Sequence, residues 1–286
     1  MGYDCAMPRI TDSPVDSAQS AGHDFVHSTA FEWLARAGFV ARGLVYVIIG
    51  LLAFQVAVSD KGKLTNQEGA LETIADKPLG GVSLAIVAIG LGGYSIWRLF
   101  RAALGHGPEA SDSGIERLGG VGSGLVYGAL CIAAIKILTS SSGQTQGASS
   151  KPKETTAGVF DWPAGRWLVG IAGLVLIGVG IYQFVKGARQ KFLEELKTEQ
   201  MRSEVKTWLT RIGTVGYIAR GVVFGLIGIF LLKAAWEYDA KEAVGLDGAL
   251  AKIVRAEYGP WLLGLVAAGL FAFGVYSLSE SRYRKI

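Results

Sequence analysis

Gly38-Phe-Val-Ala-Arg42-Gly43-Leu-Val-Tyr46 recurs without a gap as Gly119-Gly-Val-Gly-Ser123-Gly124-Leu-Val-Tyr127 and again as Gly216-Tyr-Ile-Ala-Arg220-Gly221-Val-Val-Phe224. A second motif follows each copy: Gly90-Leu-Gly92-Gly-Tyr94, Gly178-Val-Gly180-Ile-Tyr182 and Ala272-Phe-Gly274-Val-Tyr276. Internal repetition of this kind has to be read before anything else, because it sets the architecture. It predicts three tandem units, each built from two hydrophobic helices.

Outward from these motifs, six largely uncharged runs cover 38–58, 79–97, 118–138, 167–185, 215–235 and 261–279. At a rise of 1.5 Å per residue each is about 30 Å long, the thickness of the bilayer hydrocarbon. The composition agrees: 50% of residues are hydrophobic and 18% are charged, where a soluble domain carries about 25% charged residues. A soluble globule is excluded. The expected fold is an all-α integral membrane protein with six transmembrane helices in three two-helix repeats. An even number of spans per unit points all three the same way, giving a pseudo-threefold relation about the membrane normal. The expected parts are a disordered tail at 1–30 and repeats at 31–107, 115–196 and 207–286.

The outer connections carry a shorter echo. Gly69-Ala-Leu71 with Ile74 matches Gly248-Ala-Leu250 with Ile253, and Pro78 matches Pro260. Short outer helices are expected after spans 1 and 5, whereas the middle repeat carries the polar stretch 139–153 instead. The segment 186–208 places Phe192, Leu196, Met201 and Val205 among charged residues at roughly helical spacing, which predicts an amphipathic linker helix on the cytoplasmic surface, the alternative being a docking surface.

Tryptophan favours the membrane–water interface, and all seven lie near predicted span ends: Trp33, Trp97 and Trp208 on one side, Trp162, Trp167, Trp236 and Trp261 on the other. Of the 28 Lys and Arg residues, 15 belong to the tail, the connections after spans 2 and 4 and the C-terminus, and Arg42 and Arg220 near the starts of spans 1 and 5 bring that side to 17, against nine in the other loops. The positive-inside bias then puts both termini in the cytoplasm. The net charge of +4 is a one-sided distribution and calls for no nucleic acid. Cys5 and Cys131 form no paired motif, and the first 30 residues hold no apolar core of a signal peptide.

Triplication with the Gly-x-x-[Ala/Gly]-[Arg/Ser]-Gly start and the Gly-x-Tyr second span resembles the bacterial membrane-protein family called domain of unknown function 1206, over residues 31–285. The resemblance implies this architecture and the bacterial inner membrane. It brings no established activity and no catalytic residue.

Residues recurring at equivalent positions are the candidate functional groups. Gly43, Gly124 and Gly221 are expected at helix contacts, where small residues let backbones approach. Arg42 and Arg220, with Ser123 between them in the middle repeat, stand near the starts of spans 1 and 5. They either snorkel to lipid phosphate or form an anion site with the neighbouring repeat. Lys136 and Lys233, aligned with Gln55, stand near the outer ends of their spans and either snorkel or converge as a positive ring around a path. Tyr94, Tyr182 and Tyr276 are expected to pack and hydrogen-bond between helices, or to line such a path. His23 and His27 are four apart but sit in a flexible context, so no metal is expected. The predicted spans contain no Asp or Glu, which argues against carboxylate-coupled transport, and no enzyme motif or cofactor signature occurs. The expected function is non-enzymatic binding or permeation of a small solute or anion, the alternative being an accessory protein. Its expected partners are membrane lipids, with a second copy or another membrane protein as a further expectation.

Overall fold

The computed structural model describes residues 29–59, 62–104, 114–139 and 151–285; the tail expectation for 1–28, with His23, His27 and Cys5, lies outside the described residues. Six long helices form the bundle: α1 (Thr29–Ser59), α3 (Gly80–Leu104), α4 (Gly114–Thr139), α6 (Gly165–Ala188), α7 (Ser203–Glu237) and α9 (Gly259–Tyr283). All six are long and apolar enough to cross a membrane. A helix satisfies its own backbone hydrogen bonds, the only way a single segment can lie in hydrocarbon.

Three short helices cap one face: α2 (Gln67–Ala75), α5 (Lys151–Phe160) and α8 (Leu246–Val254). The helix α5 is a correction, since only α2 and α8 have a match in the outer-loop motif. Each capping helix turns into the next span through the same joint. Gly80, Gly165 and Gly259 donate to the carbonyls of Lys77, Trp162 and Ala256 at 2.7, 2.9 and 2.9 Å. A Cβ on any of the three would collide with the end of the preceding helix, at the carbonyl of Ala75, Val159 or Val254.

The opposite face, where the described chain begins and ends, is called the terminal face below. There the segment after α6 is not an amphipathic helix. Gln190 adopts a left-handed conformation (φ 55°), and two single turns of 3₁₀-helix follow, at Lys191–Leu193 and Thr198–Gln200. Phe192 and Leu196 are fully buried, with Phe192 stacked on Tyr217 at 5.2 Å and edge-on to Tyr276. Residues i and i+4 share a face in a helix and can also share one in a compact turn, so the spacing alone misled.

The spans pack in a ring. Between repeats, α9 packs on α1, α3 on α4 and α6 on α7; within repeats, α1 packs on α3 and α7 on α9. The two spans of the middle repeat, α4 and α6, do not pack along each other, so the ring is open there. Repeat-equivalent glycines make the contacts between repeats. Gly43 meets Gly274 and Leu278, Gly221 meets Gly180 and Phe184, and Gly124 meets Ser95 and Leu99.

Six tryptophans are 65–81% exposed. Trp97 departs from the interfacial expectation: it is buried, edge-on to Phe39 at 5.4 Å, with the Arg101 and Arg284 guanidiniums over its ring.

Candidate functional site

Arg42 lies thirteen residues beyond the start of α1, and Arg220 seventeen beyond the start of α7. Both helices begin well before the predicted spans, and the two arginines sit inside them, four and five residues past the expected span starts at 38 and 215. A charge at that depth requires compensation from protein or from a cavity.

Arg42 is compensated, and not by lipid. The residue is 4% exposed. Its Nε donates to Ser277 Oγ at 2.7 Å, one terminal nitrogen donates to Tyr94 Oη at 2.7 Å, and the other pairs with the Glu280 carboxylate. The rings of Phe39, Tyr94 and Phe273 surround the guanidinium at 5.0–5.4 Å. Glu280 is fully buried and also pairs with Arg284. Arg284 in turn meets Glu195 at 2.8 Å, and Glu195 holds Lys186. The lipid-phosphate reading of Arg42 is thus replaced by an ion-pair chain that joins α1, α9, α6 and the segment before α7. The predicted spans hold no carboxylate, and Glu280 stands in α9 one residue beyond the last of them, which ends at 279.

Arg220 has a different environment. Its guanidinium lies over Phe273 at 4.2 Å, Tyr46 at 5.1 Å and Phe224 at 5.3 Å. Its Nε is buried with no acceptor, and no ion pair or hydrogen bond to Arg220 occurs among the described residues. The two arginines share the Phe273 ring, where α1, α7 and α9 meet. Beside Arg220 is a cavity bounded by Tyr46, Phe224 and Leu270, with Gln67 and Leu246 on the side of the capped face. About 20 Å³ of it is open to the centre of a water molecule, which is space for one or two waters or a small ion. Gln67 and Leu246 are the first residues of α2 and α8.

The remaining candidates spread out. Lys136 is exposed at the end of α4. Lys233 is exposed and pairs with Glu242 at 3.1 Å and Glu237 at 3.8 Å. Hydrogen bonding to Lys233 holds the Glu242 carboxyl below its ordinary range. Neither lysine joins the arginines, so no inward positive ring forms. Tyr94 and Tyr276 are fully buried, whereas Tyr182 is 55% exposed, because α6 does not pack along α4 among the described residues. Tyr94 Oη also accepts from Arg98 Nε at 3.1 Å. No cluster of three or more His, Cys, Asp or Glu able to hold a metal occurs among the described residues.

Comparison with known proteins matches the family described as Domain of Unknown Function (DUF1206) in three segments, residues 37–105, 118–190 and 215–284. The chain is similar to "Uncharacterized protein YxxB" of Bacillus subtilis (strain 168), 34% identical over 253 residues that cover 87% of this chain and 90% of that protein. No solved structure matches it. Three matched segments coincide with the three helix pairs and their repeated glycine contacts, and the chain, with six membrane-type helices in three repeats, belongs to the DUF1206 family.

Proposed function

We propose that the protein is a non-enzymatic component of the bacterial inner (plasma) membrane, with both termini cytoplasmic, that binds a small anion at Arg220 and lets it cross the bilayer. The observation that carries this reading is the Arg220 guanidinium, inside a membrane-spanning helix, facing a cavity with no counter-charge from the described residues. An uncompensated cation in hydrocarbon is costly, and an anion in the cavity removes that cost. Gln67 and Leu246 line the cavity, which places α2 and α8 beside the proposed path. The excess of Lys and Arg on the terminal side supports the orientation.

The test is anion flux into proteoliposomes, measured for wild type, Arg220→Gln and Arg220→Lys. Flux in wild type that is abolished in Arg220→Gln supports the reading. Absence of flux for every anion tried, or equal flux in Arg220→Gln, overturns it.

A second reading, an accessory protein that binds lipid or a partner helix, is favoured by the open side between α4 and α6, where Leu125, Ile132, Ile171 and Leu174 are exposed. Retained lipid or a second copy in native mass spectrometry, with no flux, supports that reading instead.

A further inference from the structure

Repeats 1 and 3 are each closed by a seam of small residues between their two spans. In repeat 1 a Cβ on Gly38 would strike Tyr94, and one on Gly90 would come within 2.9 Å of the Ala41 Cβ. In repeat 3 the same seam is slid by three residues along α9: Gly216 and Ala219, the matches of Gly38 and Ala41, lie against Phe273 and Gly269. The middle repeat has glycine at each corresponding position, Gly119, Gly122 and Gly178, yet a Cβ on any of them would meet nothing within 4 Å. Tyr182, the match of the fully buried Tyr94, is 55% exposed. Glycine is a poor helix former, and a position open to lipid has room for any side chain, so the open arrangement gives these three glycines no purpose. Repeat 1 shows the purpose, which is close approach of the two helices.

We propose that the middle repeat also closes. The terminal-side halves of α4 and α6 swing together, Gly119 seats on Tyr182 and Gly122 on Gly178, and the described structure is the open state of a lateral gate to the lipid. Each exposed face is covered by the other helix of its own repeat, as in repeats 1 and 3. The capped ends are already tied across the gap, since α2 packs on α4, α5 packs on α6, and Lys151 of α5 pairs with Glu68 of α2. Gly119, Gly122, Gly178 and Tyr182 all stand in the terminal-side halves, where no such tie occurs among the described residues, while α3 and α7 hold the other sides of α4 and α6. Ile181 takes the place of Gly93 at the edge of the seam; Val275 stands there in repeat 3, whose spans pack nonetheless. No residue of α4 or α6 lines the Arg220 cavity, so the gate is independent of the anion reading.

The test uses the full chain in membrane vesicles, with Cys5→Ser and Cys131→Ala as background. One variant carries Gly119→Cys with Tyr182→Cys, for the register of repeat 1, and another carries Gly119→Cys with Val179→Cys, for that of repeat 3. A disulfide needs Cβ atoms about 3.5–4.5 Å apart, so oxidation traps the seam only when it forms. A disulfide within one chain is expected in most molecules of one of the two variants, read by gel mobility and peptide mass spectrometry. The yield should be at least tenfold lower for Leu138→Cys with Tyr182→Cys, whose positions lie toward opposite faces of the bundle. Adding Gly122→Leu and Gly178→Leu, which meet open space in the described state, should cut the yield at least tenfold while the purified variant keeps the wild-type Tm. A disulfide between two chains in place of one within a chain overturns closure and assigns the seam to a second copy. No disulfide in either variant, or a yield untouched by the two leucines, also overturns it.

Discussion

Replacing Glu280 tests whether the buried ion-pair chain holds the bundle closed. Glu280 is fully buried and neutralises two cations, Arg42 on α1 and Arg284 beyond the end of α9. In Glu280→Gln, Arg284 keeps Glu195 at 2.8 Å, but Arg42 keeps only the hydroxyls of Ser277 and Tyr94. Removing one partner of a buried pair leaves an uncompensated charge and costs about 3–5 kcal/mol. That is roughly two to three and a half orders of magnitude in the unfolding equilibrium. The expected result, in SDS-titrated mixed micelles followed by far-UV circular dichroism, is a transition shifted by that amount. Charge and packing separate in a second step: Arg42→Met with Glu280→Leu removes both charges and keeps the volume, so the double variant should return to within about 2 kcal/mol of wild type. A shift below about 1 kcal/mol for Glu280→Gln, or a double variant as unstable as the sum of its singles, would refute the reasoning.

Phe192→Ala empties a fully buried site stacked on Tyr217, and should cost about 3–5 kcal/mol in the same titration and open the bonds after Lys191, Lys197 and Arg202 to trypsin; unchanged cleavage would count against the packed segment. Gly221→Ala drives a methyl to 2.8 Å from the Gly180 carbonyl oxygen and should cost about 1–3 kcal/mol, whereas Gly122→Ala meets nothing within 4 Å and should stay within about 0.5 kcal/mol of wild type. Trp97 is 2% exposed, so a variant with Phe at the other six tryptophans should resist acrylamide quenching, and one retaining only Trp208 should be quenched readily.

Spans and repeats were legible because hydrocarbon thickness imposes a length and triplication imposes a pattern. Repetition also singled out Arg42 and Arg220, but the residues that distinguish them are those that break it. Glu280 escaped because hydropathy ended the last span one residue early; counting four residues on from the repeated tyrosines, to Arg98, Lys186 and Glu280, would have exposed the charge difference. The middle capping helix escaped because its Gly-Ala-Leu piece is absent, although Asp76-Lys-Pro78-Leu-Gly80 and Asp161-Trp-Pro163-Ala-Gly165 carry the same joint. The turns after α6 could not be read from the chain, since Phe192 and Leu196 are held by tertiary contacts and by ion pairs at Glu195. The open side between α4 and α6 leaves no mark in hydropathy, because a helix facing lipid and a helix facing a helix are equally apolar.

The partners Arg42 and Glu280 are separated by 238 residues. A chain delivered to the membrane from its N-terminus therefore exposes Arg42 to lipid or to the insertion machinery long before its carboxylate exists. At a synthesis rate of about 5–20 residues per second, that interval is roughly 10–50 s. The first helix waits for its counter-charge until the sixth is made, and the contact between α1 and α9 forms only then. Until then, water, lipid phosphate or the insertion machinery is what can compensate Arg42.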